Sequence, residues 1–119
     1  MYLFVQYPKC STCQKAKKWL ETQGISFESR HIVEENPTVK ELTEWIAVSG
    51  QPVKKFFNTS GQLYQKMGLK DKLGEMDEKA QYDLLAQDGM LVKRPILLLD
   101  DGRVLLGFKE GEWAAALEG

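Results

Sequence analysis

The hydrophobic pattern in the first third of the chain predicts a β-α-β unit. Residues 2–6 form a short aromatic and β-branched run that Pro8 stops, which is typical of a strand. Between residues 12 and 23 the apolar side chains recur every three or four positions, as in a helix, and Gly24 follows as a natural helix terminator. Residues 27–33 then have the composition of a second strand.

The middle of the chain has only helical patterns. A capping box of the form Thr-x-x-Glu begins at Thr38 and predicts the start of a helix. Further short helices are predicted at residues 53–57 and 62–68, and Asp77 is placed to cap a helix that runs to about residue 87. We therefore expect an α-helical insertion at about residues 38–90.

The last quarter of the chain returns to strands. Residues 96–99 are continuously apolar, which suits a central strand covered on both faces. Asp101-Gly102 is a two-residue hairpin signal, residues 104–108 suit the returning strand, and residues 111–117 suit a closing helix. The order β-α-β, helices, β-β-α predicts an α/β thioredoxin-like fold with an inserted α-helical lobe. We expect a single domain over residues 1–119.

Bulk composition narrows the choice of partners. The chain is 43% hydrophobic and 28% charged, and its sixteen basic side chains nearly balance seventeen acidic ones. This balance gives no reason to expect nucleic acid or a membrane surface as a partner. The apolar run at residues 96–99, like every other in the chain, is too short to span a bilayer, and residues 1–7 lack the basic start and cleavage site of a signal peptide. We therefore expect a cytoplasmic protein, in which two cysteines do not normally form a permanent structural disulfide.

The two cysteines stand where the first predicted strand gives way to the first helix. Cys10 lies at the helix N-terminus, where backbone N–H groups and the helix dipole lower the pKa of a thiol. Cys13 follows one turn later on the same face, close enough to bridge. This spacing predicts that Cys10 is the nucleophile and that Cys13 resolves the mixed disulfide.

Other interpretations of the pair are weaker on the sequence. Both cysteines could be inert core residues, although C-x-x-C beside a β-α-β pattern is a specific redox signal. A structural zinc site needs four ligands, and the chain has one histidine, His31, far from the pair. We therefore expect neither a metal nor another cofactor. His31 is expected to cap or pack against the second strand, with a local acid–base role as the alternative.

Four more residues are candidates for the same site. Ser11 and Thr12 are expected to serve as N-cap residues, and the N–H groups of their loop are placed to hold an oxyanion against Cys10. The residue pair before the third strand of a thioredoxin-like core faces the cysteine loop, and a proline there is commonly cis. Arg94-Pro95 occupies that position. Arg94 would then stabilise the Cys10 thiolate or an oxyanion, and the alternative is an exposed surface arginine.

Three segments carry a resemblance to a known family, the arsenate reductase-like family, which also includes the Spx-type redox regulators. The segments occur in the expected order and spacing, and the resemblance covers nearly the whole chain. It implies a thioredoxin-like fold with an inserted helical lobe. The segments are Tyr7-Pro8-Lys9-Cys10-Ser11-Thr12-Cys13-Gln14-Lys15-Ala16, Phe57-Asn58-Thr59-Ser60-Gly61 and Lys93-Arg94-Pro95-Ile96.

The resemblance implies two alternative functions. In the enzyme branch the cysteine that matches Cys10 attacks arsenate, three arginines grip the oxyanion, and glutathione, glutaredoxin or thioredoxin supplies electrons. Arg94 matches one of those arginines, whereas the others fall at Asn58 and near Gly107. The regulator branch keeps the cysteine pair, here Cys10 and Cys13, as a switch and binds the RNA polymerase α-subunit. We expect a thiol oxidoreductase acting on arsenate or a disulfide, with a redox-switched regulator as the alternative.

Overall fold

The computed structural model describes residues 2–118, and the chain divides into two compact units. Met1–His31 and Arg94–Gly119 form the first unit, and Ile32–Lys93 forms the second. The first unit contains a four-stranded sheet in the order β2-β1-β3-β4. Its strands are β1 (Tyr2–Gln6), β2 (Phe27–His31), β3 (Ile96–Leu98) and β4 (Val104–Leu106).

The two central strands come from opposite ends of the chain. β1 pairs in parallel with β2 and antiparallel with β3, and β3 pairs antiparallel with β4. In the β1–β3 register Val5 lies opposite Ile96 and Phe4 opposite Leu97, and all four side chains are fully buried. This burial is the reason for the continuous apolar run from residue 96, because a central strand presents side chains to both faces.

Two helices supply the rest of this core. They are α1 (Ser11–Thr22) and the last helix of the chain (Glu110–Glu118). Ala16 and Leu20 of α1 and Trp113 of the last helix pack with the sheet in one apolar cluster. The indole Nε1–H of Trp113 donates to the Gly107 carbonyl at 2.8 Å, so the one polar group of this buried side chain is satisfied. The cluster members are Phe4, Ala16, Leu20, Leu97, Leu99 and Trp113.

The second unit consists mainly of short helices. The four α-helices are α2 (Val39–Ser49), α3 (Gln62–Lys66), α4 (Leu69–Lys72) and α5 (Glu78–Gln87), and the last helix of the chain is therefore α6. Single 3₁₀ turns occur at Val53–Phe56, Leu73–Glu75 and Gly89–Leu91. The capping box at Thr38 is present as predicted, and the Asp77 carboxylate accepts the backbone N–H of Ala80 at 2.8 Å.

The two ends of the second unit meet. The Asn36 side-chain amide donates to the Ala86 carbonyl at 2.9 Å, which ties the entering chain to α5. Gly89, near the exit, lies so close to the Ile32 carbonyl oxygen that an added Cβ would stand 2.0 Å from it. A side chain cannot fit there without backbone movement, so this close approach requires glycine.

Several predicted boundaries need correction. The second strand ends at His31 rather than at residue 33, because residues 32–35 form a turn at the start of the second unit. The fourth strand ends at Leu106 rather than at residue 108, because Gly107 turns the chain with φ of 69°. The helix predicted at residues 62–68 ends at Lys66, and α4 after it was not predicted.

The hairpin between β3 and β4 also differs from the prediction. Leu99 N–H donates to the Arg103 carbonyl at 2.9 Å, so three residues lie between the paired positions instead of two. The third of them, Gly102, has φ of 90°, and the Asp101 carboxylate accepts the Arg103 backbone N–H at 3.0 Å. A three-residue hairpin with glycine at its last position fits the same Asp-Gly signal.

Candidate thiol site at the start of the first helix

A tight turn carries the chain from β1 into α1. Cys10 N–H donates to the Tyr7 carbonyl at 3.0 Å and closes the turn. The Gln14 side chain, one turn into the helix, donates back to the Pro8 carbonyl. Cys10 itself has extended backbone angles (φ −88°, ψ 120°), and its carbonyl accepts the first helical hydrogen bond from Gln14 N–H at 3.0 Å. The turn and the helix together fix Cys10 at the N-cap position.

The N-cap role that the sequence suggested for Ser11 and Thr12 is wrong. Cys10 is the N-cap residue, and its Sγ accepts the Cys13 backbone N–H at 3.4 Å. Ser11 and Thr12 are the first two helical residues, and both are exposed. Their N–H groups have no partner within a helix at these positions. The thiol therefore takes the capping place that a serine or threonine hydroxyl usually has.

Three groups act on the pKa of Cys10. Partial burial is the largest single cause, and it raises the pKa of this thiol. Hydrogen bonding from the side chain and backbone of Cys13 lowers the pKa, and so do the side chain and charge of Arg94. Together these lowering effects exceed the effect of burial. The net effect lowers the pKa of Cys10 below its ordinary value. The physical cause is that each of these donors stabilises the thiolate more than the neutral thiol.

Cys13 has the opposite environment. Its side chain is fully buried, and burial is the largest cause that raises the pKa of Cys13 to about 12. A backbone hydrogen bond with Tyr7 opposes this rise, and the hydrogen bond and charge of Cys10 add to it. Both cysteines are reduced in the structure. Cys10 is therefore the more accessible and more acidic thiol of the pair, and Cys13 is the buried and less acidic one.

Arg94 lies at this site and not on the open surface. It is half-buried, its Nε atom is buried, and its guanidinium carbon lies 5.2 Å from the centre of the Tyr7 ring. The Arg94–Pro95 peptide bond is cis, as the sequence suggested. Pro95 is buried, and its carbonyl accepts the Gly107 N–H at 2.8 Å. The structure thus brings Cys10, Cys13 and Arg94 together.

The other two positions at which the resemblance implies anion-binding arginines hold residues with local roles. Gly107 is buried and has positive φ. Its N–H donates to the Pro95 carbonyl, and its own carbonyl accepts the indole N–H of Trp113. Asn58 lies in the second unit, where its N–H donates to the Leu91 carbonyl at 2.8 Å and its side chain accepts from the Ser60 hydroxyl at 3.4 Å. The Asn58 side chain is uncharged and Gly107 has no side chain, so Arg94 is the one cation that these three positions provide.

Sequence reasoning missed the role of Tyr7, whereas His31 packs at the second strand as the sequence suggested. The Tyr7 ring contacts Arg94 and also meets the His31 ring edge-to-face, with centroids 5.6 Å apart at 89°. No local sequence pattern indicates the contact of Tyr7 with Arg94. It follows from the antiparallel register of β1 and β3: because Val5 lies opposite Ile96, Tyr7 comes level with Arg94. His31 is the last residue of β2 and pairs with Gln6, so it packs beside the site.

Among residues 2–118, no group of three histidine, cysteine, aspartate or glutamate side chains is arranged to hold a metal ion. Within that range there is also no helix that is both long and apolar enough to cross a membrane.

Comparison with known proteins gives one consistent family. The model of the ArsC family matches residues 5–116. The chain is 51% identical over 110 residues to the uncharacterized protein YusI of Bacillus subtilis, with 92% of each chain covered. It is 31% identical over 109 residues to the regulatory protein MgsR of the same organism, covering 92% of this chain and 84% of MgsR.

Solved structures agree with this result. An ArsC family related protein from Bacteroides fragilis has 55% identity and a TM-score of 0.92, with 96% of this chain and 95% of that chain covered. An arsenate reductase from Vibrio cholerae has 26% identity and a TM-score of 0.77, with 87% and 86% covered. The predicted α/β thioredoxin-like fold with its inserted helices is thereby confirmed.

Proposed function

The chain belongs to the ArsC family, and from that premise we propose that it is a thiol–disulfide oxidoreductase with Cys10 as the nucleophile. One observation carries the proposal: Cys10 is the N-cap residue of α1 and its Sγ accepts the Cys13 backbone N–H at 3.4 Å, while the neighbouring Arg94 lowers the pKa of its thiol. A thiolate is the attacking species in thiol–disulfide exchange, so groups that lower the pKa of Cys10 increase its reactive fraction near neutral pH.

The proposed reaction on a disulfide proceeds in two exchanges. The Cys10 thiolate attacks one sulfur of the substrate disulfide, forms a mixed disulfide and releases the other sulfur as a thiolate. Cys13 then loses its proton to solvent or to the released thiolate and attacks the Cys10 sulfur, which releases the second substrate thiolate. The substrate gains two electrons, and the protein is left with a Cys10–Cys13 disulfide. A thiol donor such as glutathione, glutaredoxin or thioredoxin returns it to the dithiol.

Arsenate is the second substrate class to be tested. Arg94 and the free N–H groups of Ser11 and Thr12 provide a cation and donors for an oxyanion beside Cys10. With uncharged residues at Asn58 and Gly107, the site has fewer anion contacts than the resemblance implies for arsenate reductases. We therefore propose a disulfide as the preferred substrate and the cytoplasm, a reducing compartment, as the location.

Steady-state turnover tests this function. Reduction of an aromatic model disulfide and of arsenate would be measured with glutathione–glutaredoxin and with thioredoxin recycling, for the wild type and for Cys10→Ser and Cys13→Ser. Cys10→Ser should abolish turnover of both substrates. Cys13→Ser should trap the mixed disulfide on Cys10, detectable by mass, when no other thiol is present. Full activity of Cys10→Ser would overturn the proposal, as would a wild type that reduces neither substrate.

The proposal also implies a reversible disulfide. Equilibration against glutathione buffers should give a midpoint between about −270 and −180 mV, the range of thioredoxins and disulfide isomerases. Cys13→Ser, which cannot form the intramolecular bridge, is the matched control. A midpoint below about −300 mV is typical of permanent structural disulfides and would argue against a role in turnover.

A redox-switched regulator is the second candidate function. The observation in its favour is the similarity to MgsR, which is named a regulatory protein. The Cys10–Cys13 pair would then act as the switch, and the RNA polymerase α-subunit would be the partner. Binding to the purified C-terminal domain of the α-subunit, measured with the dithiol and disulfide forms, tests this function. Redox-dependent binding without turnover would favour the regulator, and turnover without binding would favour the enzyme.

A further inference from the structure

Tyr7 makes two kinds of contact at the thiol site, one from its backbone and one from its ring. The Tyr7 carbonyl accepts the Cys10 N–H at 3.0 Å and closes the turn that carries the nucleophile. Its ring has the Arg94 guanidinium carbon 5.2 Å from its centre, within the roughly 6 Å that defines a cation–π contact. The same residue therefore contacts both the cation and the loop that carries the nucleophile.

Arg94 depends on such a contact for a fixed position. An arginine side chain has several rotatable bonds, and its charge helps Cys10 only in conformations that bring the guanidinium to Sγ. The backbone alone does not select those conformations, because it sets the Cα position and not the rotamer. A half-buried aromatic face beside the guanidinium favours the bound conformation and excludes water from one side of it. The His31 ring packs edge-to-face on Tyr7 and thereby restricts the Tyr7 ring in turn.

We propose that Tyr7 is a positioning residue for the thiol site, whose aromatic face holds the Arg94 guanidinium beside Cys10. The inference rests on the proposed function, in which Arg94 stabilises the Cys10 thiolate. The phenol hydroxyl is not required, since the attraction is between the cation and the ring face.

The rate of Cys10 alkylation against pH is the appropriate measurement, because it reports the thiolate fraction and needs no substrate. At pH 6, Arg94→Ala should slow alkylation about tenfold and Tyr7→Leu about threefold. Tyr7→Phe keeps the ring and should retain the wild-type pH profile. Tyr2→Leu, the same substitution at the other end of β1 and also half-buried, is the matched control and should leave the profile unchanged.

Two further variants separate positioning from general loosening of the structure. In an Arg94→Ala background, Tyr7→Leu should have no additional effect, because the cation it positions is gone. Where Tyr7→Leu does not fold, pentafluorophenylalanine at position 7 keeps a ring of similar size but reverses the charge distribution of its face, and it should slow alkylation as Tyr7→Leu does.

The outcomes distinguish this inference from the proposed function. If Arg94→Ala slows alkylation but Tyr7→Leu and the fluorinated ring do not, Tyr7 is only a packing residue and the inference is overturned while the function stands. An equal effect of Tyr7→Leu with and without Arg94 also overturns it, because Tyr7 then acts by another route. If Arg94→Ala itself has no effect, the role proposed for Arg94 is wrong and the inference is wrong with it.

Discussion

Cys10 and Cys13 are three residues apart but occupy opposite environments. Cys10 is partly exposed, its Sγ accepts the Cys13 backbone N–H, and Arg94 lowers its pKa, whereas Cys13 is fully buried. This difference is what the proposed exchange reaction requires: one thiol is accessible and has a lowered pKa, and the other is buried and has a raised pKa. Two predictions follow from this difference at the scale of single residues.

The first prediction concerns selective alkylation. In the reduced protein at pH 7, iodoacetamide should modify Cys10 at least tenfold faster than Cys13, because thiolate fraction and access both favour Cys10. Peptide mapping after a short pulse of reagent measures the two rates. Unfolding in urea is the control, since it should bring the rates close together. Faster modification of Cys13 in the folded protein would reverse the roles assigned to the two thiols.

The second prediction concerns stability at alkaline pH. Since the pKa of Cys13 is raised to about 12 in the folded protein, the unfolded chain loses this proton first, above its ordinary pKa of about 8.5. Between these two values the folded state binds one proton more, so the free energy of unfolding should fall as pH rises, by up to about 1.4 kcal/mol per pH unit. This contribution is fully present below about pH 8.5 and is lost as the pH approaches about 12.

Urea unfolding under reducing conditions at pH 8 and pH 10 would test this slope. Cys13→Ala lacks the titrating thiol, so its free energy of unfolding should fall less between the two pH values than that of the wild type. Both proteins would carry Cys10→Ser, because loss of the Cys13 side chain would otherwise also change the pKa of Cys10. The remaining titrating groups are common to both proteins and cancel in the comparison. An identical fall in both proteins would show that Cys13 does not titrate as its burial requires.

At the scale of elements, helix starts were predicted more accurately than strand ends. The capping signals at Thr38 and Asp77 act over three residues, and both are present in the structure. The end of β2 depends instead on where the chain leaves the sheet for the second unit, which no local pattern in residues 27–33 encodes. The predicted length of the hairpin loop was wrong for a similar reason: an Asp-Gly pair such as Asp101-Gly102 suits loops of two and of three residues.

The candidate site shows the same division. The position of Cys10 follows from local sequence, because a strand, a turn and a helix occur in succession around it. The contact of Tyr7 with Arg94 depends on the antiparallel register of β1 and β3, whose residues are far apart in the chain. Only the fold brings Tyr7 and Arg94 together. Arg94 could be expected at the site because it precedes the proline before the third strand, but no sequence signal indicated that Tyr7 would contact it.

The capping box of α2 supplies a prediction for an element. Thr38 Oγ1 accepts the Glu41 N–H at 3.1 Å, and Thr38 N–H donates to the Glu41 carboxylate at 3.1 Å. Thr38→Ala removes an acceptor for an N–H that has no helical partner, and should lower the free energy of unfolding by about 1 kcal/mol. Chemical denaturation measures the loss.

Thr43→Ala is the matched control on the same helix. Its hydroxyl donates at 2.7 Å to the Val39 carbonyl, a group the helix already engages, and the side chain is exposed. Alanine has the higher helix propensity, so this substitution should be neutral or slightly stabilising. Equal losses for Thr38→Ala and Thr43→Ala would mean that the cap contributes nothing specific.

At the scale of the whole molecule, the sheet is built from two segments that are distant in sequence. β1 and β3 pair at its centre, and the second unit, Ile32–Lys93, separates them along the chain. If that segment were an unfolded loop, pairing β1 with β3 would carry the entropy cost of closing it. The folded second unit brings Ile32 into contact with Gly89 and so holds the two ends of the segment close together. Its folding therefore reduces the cost of forming the sheet.

Damage to the second unit should therefore weaken the sheet. Leu85 of α5 is fully buried in the second unit, and Leu85→Ala should destabilise that unit by about 2–5 kcal/mol. Hydrogen exchange of individual amides should then show reduced protection in β1 and β3 as well as in α5, which is the behaviour of one cooperative domain. Val48→Ala, at a 59% exposed position of α2, is the control and should change protection little in either unit. If Leu85→Ala lowered protection in α5 alone, the two units would fold independently, and the closing of the chain by the second unit would contribute nothing to the sheet.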